Sequence, residues 1–199
     1  MMNSPNGPFP TIRCMSSSDV IRKHWLNITT ALLCGLAVWR IGLSPELPAV
    51  LAFIFGGALL AVIDWKIQRL PTPLVYRTLA AVAGGLVFAS LVQWEWRQLA
   101  TAVAGALLLV NAFFLVWWLT TKLTGMMLIG FGDVRLAAVL GLLLGWYGLP
   151  YVLYGALAGH VLALGVALVT CVRQRRLQLR YSFGPPLIAG TLAVVLLHG

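Results

Sequence analysis

Two acidic side chains stand at the ends of long apolar stretches, where charged residues are rare. Asp64 directly follows the apolar stretch 47–63, and Asp133 directly precedes the apolar stretch 134–149. A carboxylate beside a membrane-length apolar segment is costly unless it faces water or a partner, so each residue is a candidate functional group. The simplest alternative is a structural one, in which each carboxylate caps a helix or pairs with a neighbouring basic residue.

Paired carboxyl groups support a specific chemistry. Two carboxyl groups within a few ångströms of each other cannot both ionise readily, so the pKa of one rises and the pair holds a single proton. The ionised member can activate water, while the protonated member polarises a carbonyl group and later protonates the leaving amine. This is aspartic-protease chemistry, which needs neither a metal nor a nucleophilic side chain. The sequence offers no rival set, because its three cysteines are isolated and its three histidines form no HExxH motif.

Composition determines which kind of fold must position these carboxylates. Of the 199 residues, 60% are apolar and only 10% are charged, and the mean hydropathy is +0.92. A soluble fold cannot cover itself with so little polar surface, which excludes a soluble enzyme, a disordered chain and a nucleic-acid-binding module. The apolar runs are continuous rather than alternating, which argues against a β-barrel. The sequence therefore predicts an all-α, polytopic integral membrane helical bundle that lies in a lipid bilayer.

The apolar runs predict about seven transmembrane helices, separated by segments rich in proline and glycine. The predicted spans are 27–43, 47–63, 74–92, 98–120, 133–148, 150–172 and 184–198. Residues 1–26 are polar, so we expect them to form a flexible amino-terminal arm, with residues 27–199 as the transmembrane domain. Pairs of glycines four residues apart, such as Gly141 with Gly145 and Gly155 with Gly159, are typical of close packing between helices.

The distribution of basic residues predicts the orientation. If the amino terminus is cytoplasmic and the spans alternate, only Arg40 and Arg97 of the 14 Lys and Arg residues lie on the opposite side. Asp64 and Asp133 then share the cytoplasmic end of the bundle. Trp94, Trp96, Trp146 and Tyr147 fall near the outer boundary, as an interfacial aromatic belt would. Glu46 and Glu95 are expected to be solvated charges in outer loops.

The residues around Asp133 form a Gly-x-Gly-Asp element, Gly130-Phe131-Gly132-Asp133. Glycine on both sides of Phe131 permits backbone conformations that other residues avoid. Irregular backbone at membrane depth is tolerated where it lines a cavity. We therefore expect a non-helical loop at residues 130–132, against which a substrate backbone can pair in extended form.

With these motifs in place, the sequence resembles the type IV prepilin peptidases, which are GxGD membrane aspartyl proteases of bacterial pilus and type II secretion systems. Three stretches carry the resemblance: Ala61-Val62-Ile63-Asp64 followed by Leu70-Pro71, then Gly130-Phe131-Gly132-Asp133-Val134-Arg135-Leu136, and finally Ser182-Phe183-Gly184-Pro185-Pro186. The family usually has lysine where this chain has Arg135. The resemblance covers about residues 47–198.

The resemblance implies that Asp64 and Asp133 are the catalytic dyad and that residues 130–132 are the active-site loop. Supporting roles are then expected for Lys66, Arg135, Pro71, Phe183, Gly184 and Pro185. It also implies a multi-pass protein of the bacterial inner membrane, with its active site facing the cytoplasm. The substrates would be prepilins or pseudopilins with a short basic leader, a glycine before the cut and an apolar helix after it.

Many family members also methylate the new amino terminus, and those carry two CxxC pairs near their own amino terminus. This chain has only Cys14 in that region. We therefore expect neither methyltransferase activity nor a bound metal or other cofactor. Two polar residues within predicted spans, Asn111 in the fourth and His160 in the sixth, are secondary candidates for lining the active-site cavity.

Two other functions use the same residues. A proton-coupled transporter or channel can use Asp64 and Asp133 as ion sites, but it favours carboxylates near the bilayer midplane and often an internal repeat, which this sequence lacks. A protease of the presenilin or signal-peptide-peptidase type shares the GxGD element. Its first aspartate typically follows tyrosine, whereas Ile63 precedes Asp64 here.

Overall fold

The fold is a bundle of α-helices. The computed structural model describes residues 17–67, 71–124, 130–174 and 183–198, with side chains from residue 27 onward except at 66, 67, 124, 173 and 174. Within these ranges the chain forms seven helices and no strand. They are α1 (Ser17–Ile41), α2 (Leu47–Ile67), α3 (Thr72–Gln93), α4 (Trp96–Thr124), α5 (Phe131–Tyr147), α6 (Leu149–Gln174) and α7 (Gly184–His198).

The predicted fold class is confirmed, because each predicted span corresponds to one helix. Among the described residues, four helices are long and apolar enough to cross a membrane: Leu47–Trp65, Thr72–Gln93, Trp96–Leu123 and Leu149–Val172. Most boundaries differ from the prediction by a few residues, and two of these differences bear on the arm and on the site. Helix α1 begins at Ser17, inside the segment expected to be a flexible arm, and α2 continues to Ile67, so Asp64 lies within its last turn.

Local sequence explains where the helices around the site begin and end. Gly130 is the N-cap of α5, and Pro71 is the N-cap of α3. At the other end of α5, Gly148 adopts φ +127°, a conformation that side chains disfavour, and its N–H donates to the Gly145 carbonyl oxygen. Pro150 then stands in the first turn of α6, where its missing N–H costs nothing.

Helix α5 is the central element of the bundle. Twelve of its 17 residues are buried, and it packs most extensively against α4. The contact is backbone on backbone: a Cβ at Gly141 would lie 2.5 Å from the Gly105 carbonyl oxygen, and one at Gly145 would lie 2.6 Å from the Thr101 carbonyl oxygen. The glycine pair therefore has the packing role that its spacing predicts.

Helix α7 lies against α6 and α2. A Cβ at Gly190 would lie 2.4 Å from the backbone nitrogen of Gly159 on α6. At the far end of α7, the Arg40 guanidinium of α1 donates to the carbonyl oxygens of Leu196 and Leu197, at 3.0 and 3.3 Å. These last carbonyls have no partner within their own helix, so Arg40 caps α7.

The outer surface of the bundle is apolar, with many leucine, valine and aromatic side chains exposed along α4 and α6. Trp94 and Trp96 are exposed at the end of the bundle opposite the two aspartates, as an aromatic belt requires. The expectation for Trp146 and Glu46 is wrong. Trp146 is buried, and its indole N–H donates to the half-buried Glu46 carboxylate at 2.8 Å.

Candidate active site

Asp64 is a buried carboxylate, with only 5% of its surface exposed. Its Oδ2 accepts a hydrogen bond of 3.1 Å from the backbone N–H of Gly184, the first residue of α7. The two residues are 120 positions apart in the sequence, so the bond links two distant helices. The Phe-Gly-Pro element that the sequence singles out therefore lies directly against the first aspartate.

Gly184 sits so close to Asp64 that a side chain there would displace the carboxylate. A Cβ at this position would lie 2.6 Å from Asp64 Oδ2 and 3.3 Å from its Cγ. Phe183 packs against the hydrophobic core, and its carbonyl oxygen accepts from the Leu187 N–H at 3.3 Å. Pro185 lies in the first turn of α7, a position that suits its fixed φ.

Asp133 is also buried, with 8% of its surface exposed, and is the third residue of α5. Its backbone N–H donates to the Gly130 carbonyl oxygen at 3.0 Å. Its carboxylate turns back toward the backbone N–H of Gly130, as the acidic residue of a capping box does. The spacing within the Gly-x-Gly-Asp element is therefore that of a helix start.

This geometry corrects the predicted active-site loop. Phe131 and Gly132 belong to the first turn of α5 rather than to an irregular loop. Gly130 has φ −72° and ψ 140°, an extended conformation that any residue can adopt. Helix formation prevails here because the Asp133 side chain serves the N-terminal turn of its own helix.

The structure brings the two carboxyl groups together. Asp64 comes from the last turn of α2 and Asp133 from the first turn of α5, so both occupy the same end of the bundle. They are close enough for the charge of Asp64 to act on Asp133. Two neighbouring buried carboxyl groups are the arrangement that general acid and base catalysis by a pair of aspartates requires.

Arg135 does not neutralise Asp133, the structural role considered for it from the sequence. Its guanidinium donates to the Thr72 hydroxyl at the start of α3, and it lies 4.9 Å above the Phe131 ring. Phe131 in turn meets the edge of Trp117, with ring centroids 5.4 Å apart. Arg135 therefore joins α3 to α5 beside the dyad, and Pro71 contributes by starting α3.

Other predicted residues lie elsewhere. Asn111 and His160 are exposed and bond within their own helices, to the carbonyl oxygens of Leu107 and Ala156, so they do not line the site. The Lys66 side chain and all of Cys14 lie outside the described residues. Within the described part of the chain, no three His, Cys, Asp or Glu side chains are grouped to hold a metal ion.

The chain matches a known protein family. The profile of the type IV leader peptidase family matches residues 51–168, which include both aspartates. No solved structure matches the chain significantly.

Curated relatives cover most of the chain. A prepilin leader peptidase/N-methyltransferase of Pseudomonas putida is 34% identical over 88% of this chain and 59% of its own length. Proteins of the same name from Escherichia coli (strain K12) and Dickeya chrysanthemi are 32% and 37% identical, over 84% and 83% of this chain and 73% and 55% of their own lengths. The chain thus spans about three fifths of the length of the Pseudomonas putida protein. The profile match and these identities show that the chain belongs to the type IV leader peptidase family.

Proposed function

We propose that this protein is an intramembrane aspartic endopeptidase that removes the leader from type IV prepilins or pseudopilins. The observation that carries the proposal is the pair of buried, interacting carboxyl groups of Asp64 and Asp133 at one end of the bundle. The relatives support the substrate class, because they are named prepilin leader peptidases.

The dyad performs the reaction with one proton between its two members. The carboxylate takes a proton from water as the water oxygen attacks the carbonyl carbon, and the carboxylic acid gives its proton to the carbonyl oxygen. In the resulting gem-diol, the newly protonated aspartate passes its proton to the amide nitrogen as the C–N bond breaks. A gem-diol hydroxyl returns its proton to the other aspartate, which leaves a carboxylic acid, an amine and a dyad that again holds one proton.

We place the dyad at the cytoplasmic end of a bundle in the bacterial inner membrane. The positive-inside distribution of Lys and Arg supports this orientation. A prepilin helix inserted in the same bilayer, with its leader in the cytoplasm, presents its cleavage site at the depth of Asp64 and Asp133. A basic leader is also attracted to a dyad that carries one negative charge.

The test replaces each aspartate separately. Asp64→Asn and Asp133→Asn should each abolish cleavage of a reporter prepilin that has a basic leader, a glycine before the cut and an apolar helix after it. Glu95→Gln is the matched control, because Glu95 is an exposed acidic residue at the opposite end of the bundle. Near-normal cleavage by either aspartate variant at equal expression would refute the dyad. Ion flux in proteoliposomes that depends on either aspartate, without peptide cleavage, would favour a transporter.

A further inference from the structure

We propose that Gly184 is a positioning residue: its backbone N–H, at the amino terminus of α7, holds the Asp64 carboxylate in its catalytic position. This inference rests on the proposed function, since it assigns a task to a residue beside the dyad. The bond itself is 3.1 Å long and buried.

The local sequence leaves the Gly184 N–H, at the start of α7, available to Asp64. The first N–H groups of any helix lack partners within it. In α7, Pro185 and Pro186 have no N–H, and the Leu187 N–H donates to the Phe183 carbonyl oxygen. Gly184 supplies the remaining N–H of this first turn, and Asp64 accepts it.

The electrostatics of this contact also matter, because Asp64 lies at the unfavourable end of its own helix. It is three residues from the carboxyl-terminal residue of α2, Ile67, where the helix dipole is negative. The amino terminus of α7 brings a positive dipole end to the same carboxylate. Asp133 on α5 is the acidic neighbour that interacts with it, and the basic Arg135 of α5 is bound to Thr72.

Helix α7 is itself fixed, so it can define a position. Gly190 packs onto the backbone of Gly159 on α6, and Arg40 of α1 caps the opposite end of α7. A carboxylate bound to such a backbone has less freedom than one bound to a flexible side chain. A Cβ at Gly184 would come within 2.6 Å of the Asp64 carboxylate oxygen and force it to move.

The test is Gly184→Ala, assayed on the reporter prepilin described above. Displacement of a reacting group by about 1 Å lowers rates on the order of 10²-fold, so kcat should fall by about that factor. KM should stay unchanged, because the substituted methyl group contacts Asp64 and not the leader. Gly84→Ala and Gly165→Ala are matched controls within helices, since a Cβ at either site meets nothing within 4 Å, and they should keep wild-type kcat.

A double-mutant cycle measures the contact without relying on activity. Gly184→Ala should lower the Tm of the purified protein by more in the wild-type background than in Asp64→Ala, where the carboxylate that it meets is gone. An equal loss of Tm in both backgrounds, or wild-type kcat in Gly184→Ala, would overturn the positioning role. Retained cleavage in Asp64→Ala alone would instead overturn the proposed function, so the two failures are distinguishable.

Discussion

The contact between α4 and α5 predicts that a single methyl group, far from the dyad, lowers the rate of cleavage. A Cβ at Gly141 would lie 2.5 Å from the Gly105 carbonyl oxygen and 2.8 Å from Ala106 Cα. Ordinary van der Waals contact needs about 3.5 Å, so Gly141→Ala should move α5 away from α4 by about 1 Å. Both neighbours are backbone atoms, so no side chain can rotate to relieve the contact.

That displacement reaches the dyad because Asp133 is on the same helix. It lies eight residues before Gly141, about 12 Å along the axis at 1.5 Å per residue. A buried, close-packed helix moves as a unit rather than bending freely. A shift of about 1 Å in Asp133 relative to Asp64 should lower kcat on the order of 10²-fold. Overpacking should also cost about 1–3 kcal/mol of unfolding free energy.

The assay is cleavage of the reporter prepilin, with the rate normalised to the amount of folded enzyme measured by thermal unfolding in detergent. Gly145→Ala meets the Thr101 carbonyl oxygen at 2.6 Å and should behave like Gly141→Ala. Gly84→Ala, which adds the same methyl group where there is space, should not. Wild-type kcat for folded Gly141→Ala, with or without a lower Tm, would refute the idea that α5 transmits the displacement to Asp133.

Two further predictions concern side-chain contacts on either end of the bundle. Arg135→Lys keeps the charge but removes the planar group that bonds Thr72 and covers Phe131, so the unfolding free energy should fall by about 1–2 kcal/mol. Thr72→Val should also lower the unfolding free energy. Unchanged thermal unfolding in both variants would contradict the contact. Trp146→Phe removes the indole N–H that bonds Glu46, so it should lower the unfolding free energy by about 1–2 kcal/mol. Because Trp146 lies at the end of the bundle opposite the dyad, kcat should stay unchanged. A large loss of kcat would show that the two ends are coupled.

The helices could be predicted from the sequence because their signals are local. A long apolar run predicts a helix wherever it stands, and prolines and glycines mark its ends. Thus the predicted spans 184–198 and 47–63 match α7 and most of α2. The location of Asp64 and Asp133 at the same end of the bundle could also be predicted, because it follows from the alternating direction of successive spans. The start of α1 at Ser17 was missed because six of its first ten residues, 17–26, are polar or charged and interrupt any apolar run.

The hydrogen bonds of the site could not be predicted, because they join residues far apart in the chain. Nothing local to Gly184 identifies Asp64 as its acceptor, and nothing near Arg135 identifies Thr72. One signal was nevertheless available. Two prolines after a glycine leave a helix start with a single early N–H donor, which is expected to seek an acceptor. The buried pairing of Trp146 with Glu46 had no such signal.

Asp64 and Asp133 lie at opposite ends of their own helices, and in the proposed dyad this difference gives α7 its role. Asp133 begins α5, so the positive end of its own helix and the Gly130 N–H lie beside it. Asp64 ends α2, where the dipole opposes a negative charge, and the amino terminus of α7 supplies a backbone N–H and a positive dipole end beside it. Backbone N–H groups then stabilise the shared charge, while Arg135 is held by Thr72 rather than by Asp133. In the proposed reaction, the negative charge of the dyad attracts a basic leader and takes a proton from water, and a backbone N–H stabilises that charge without neutralising it.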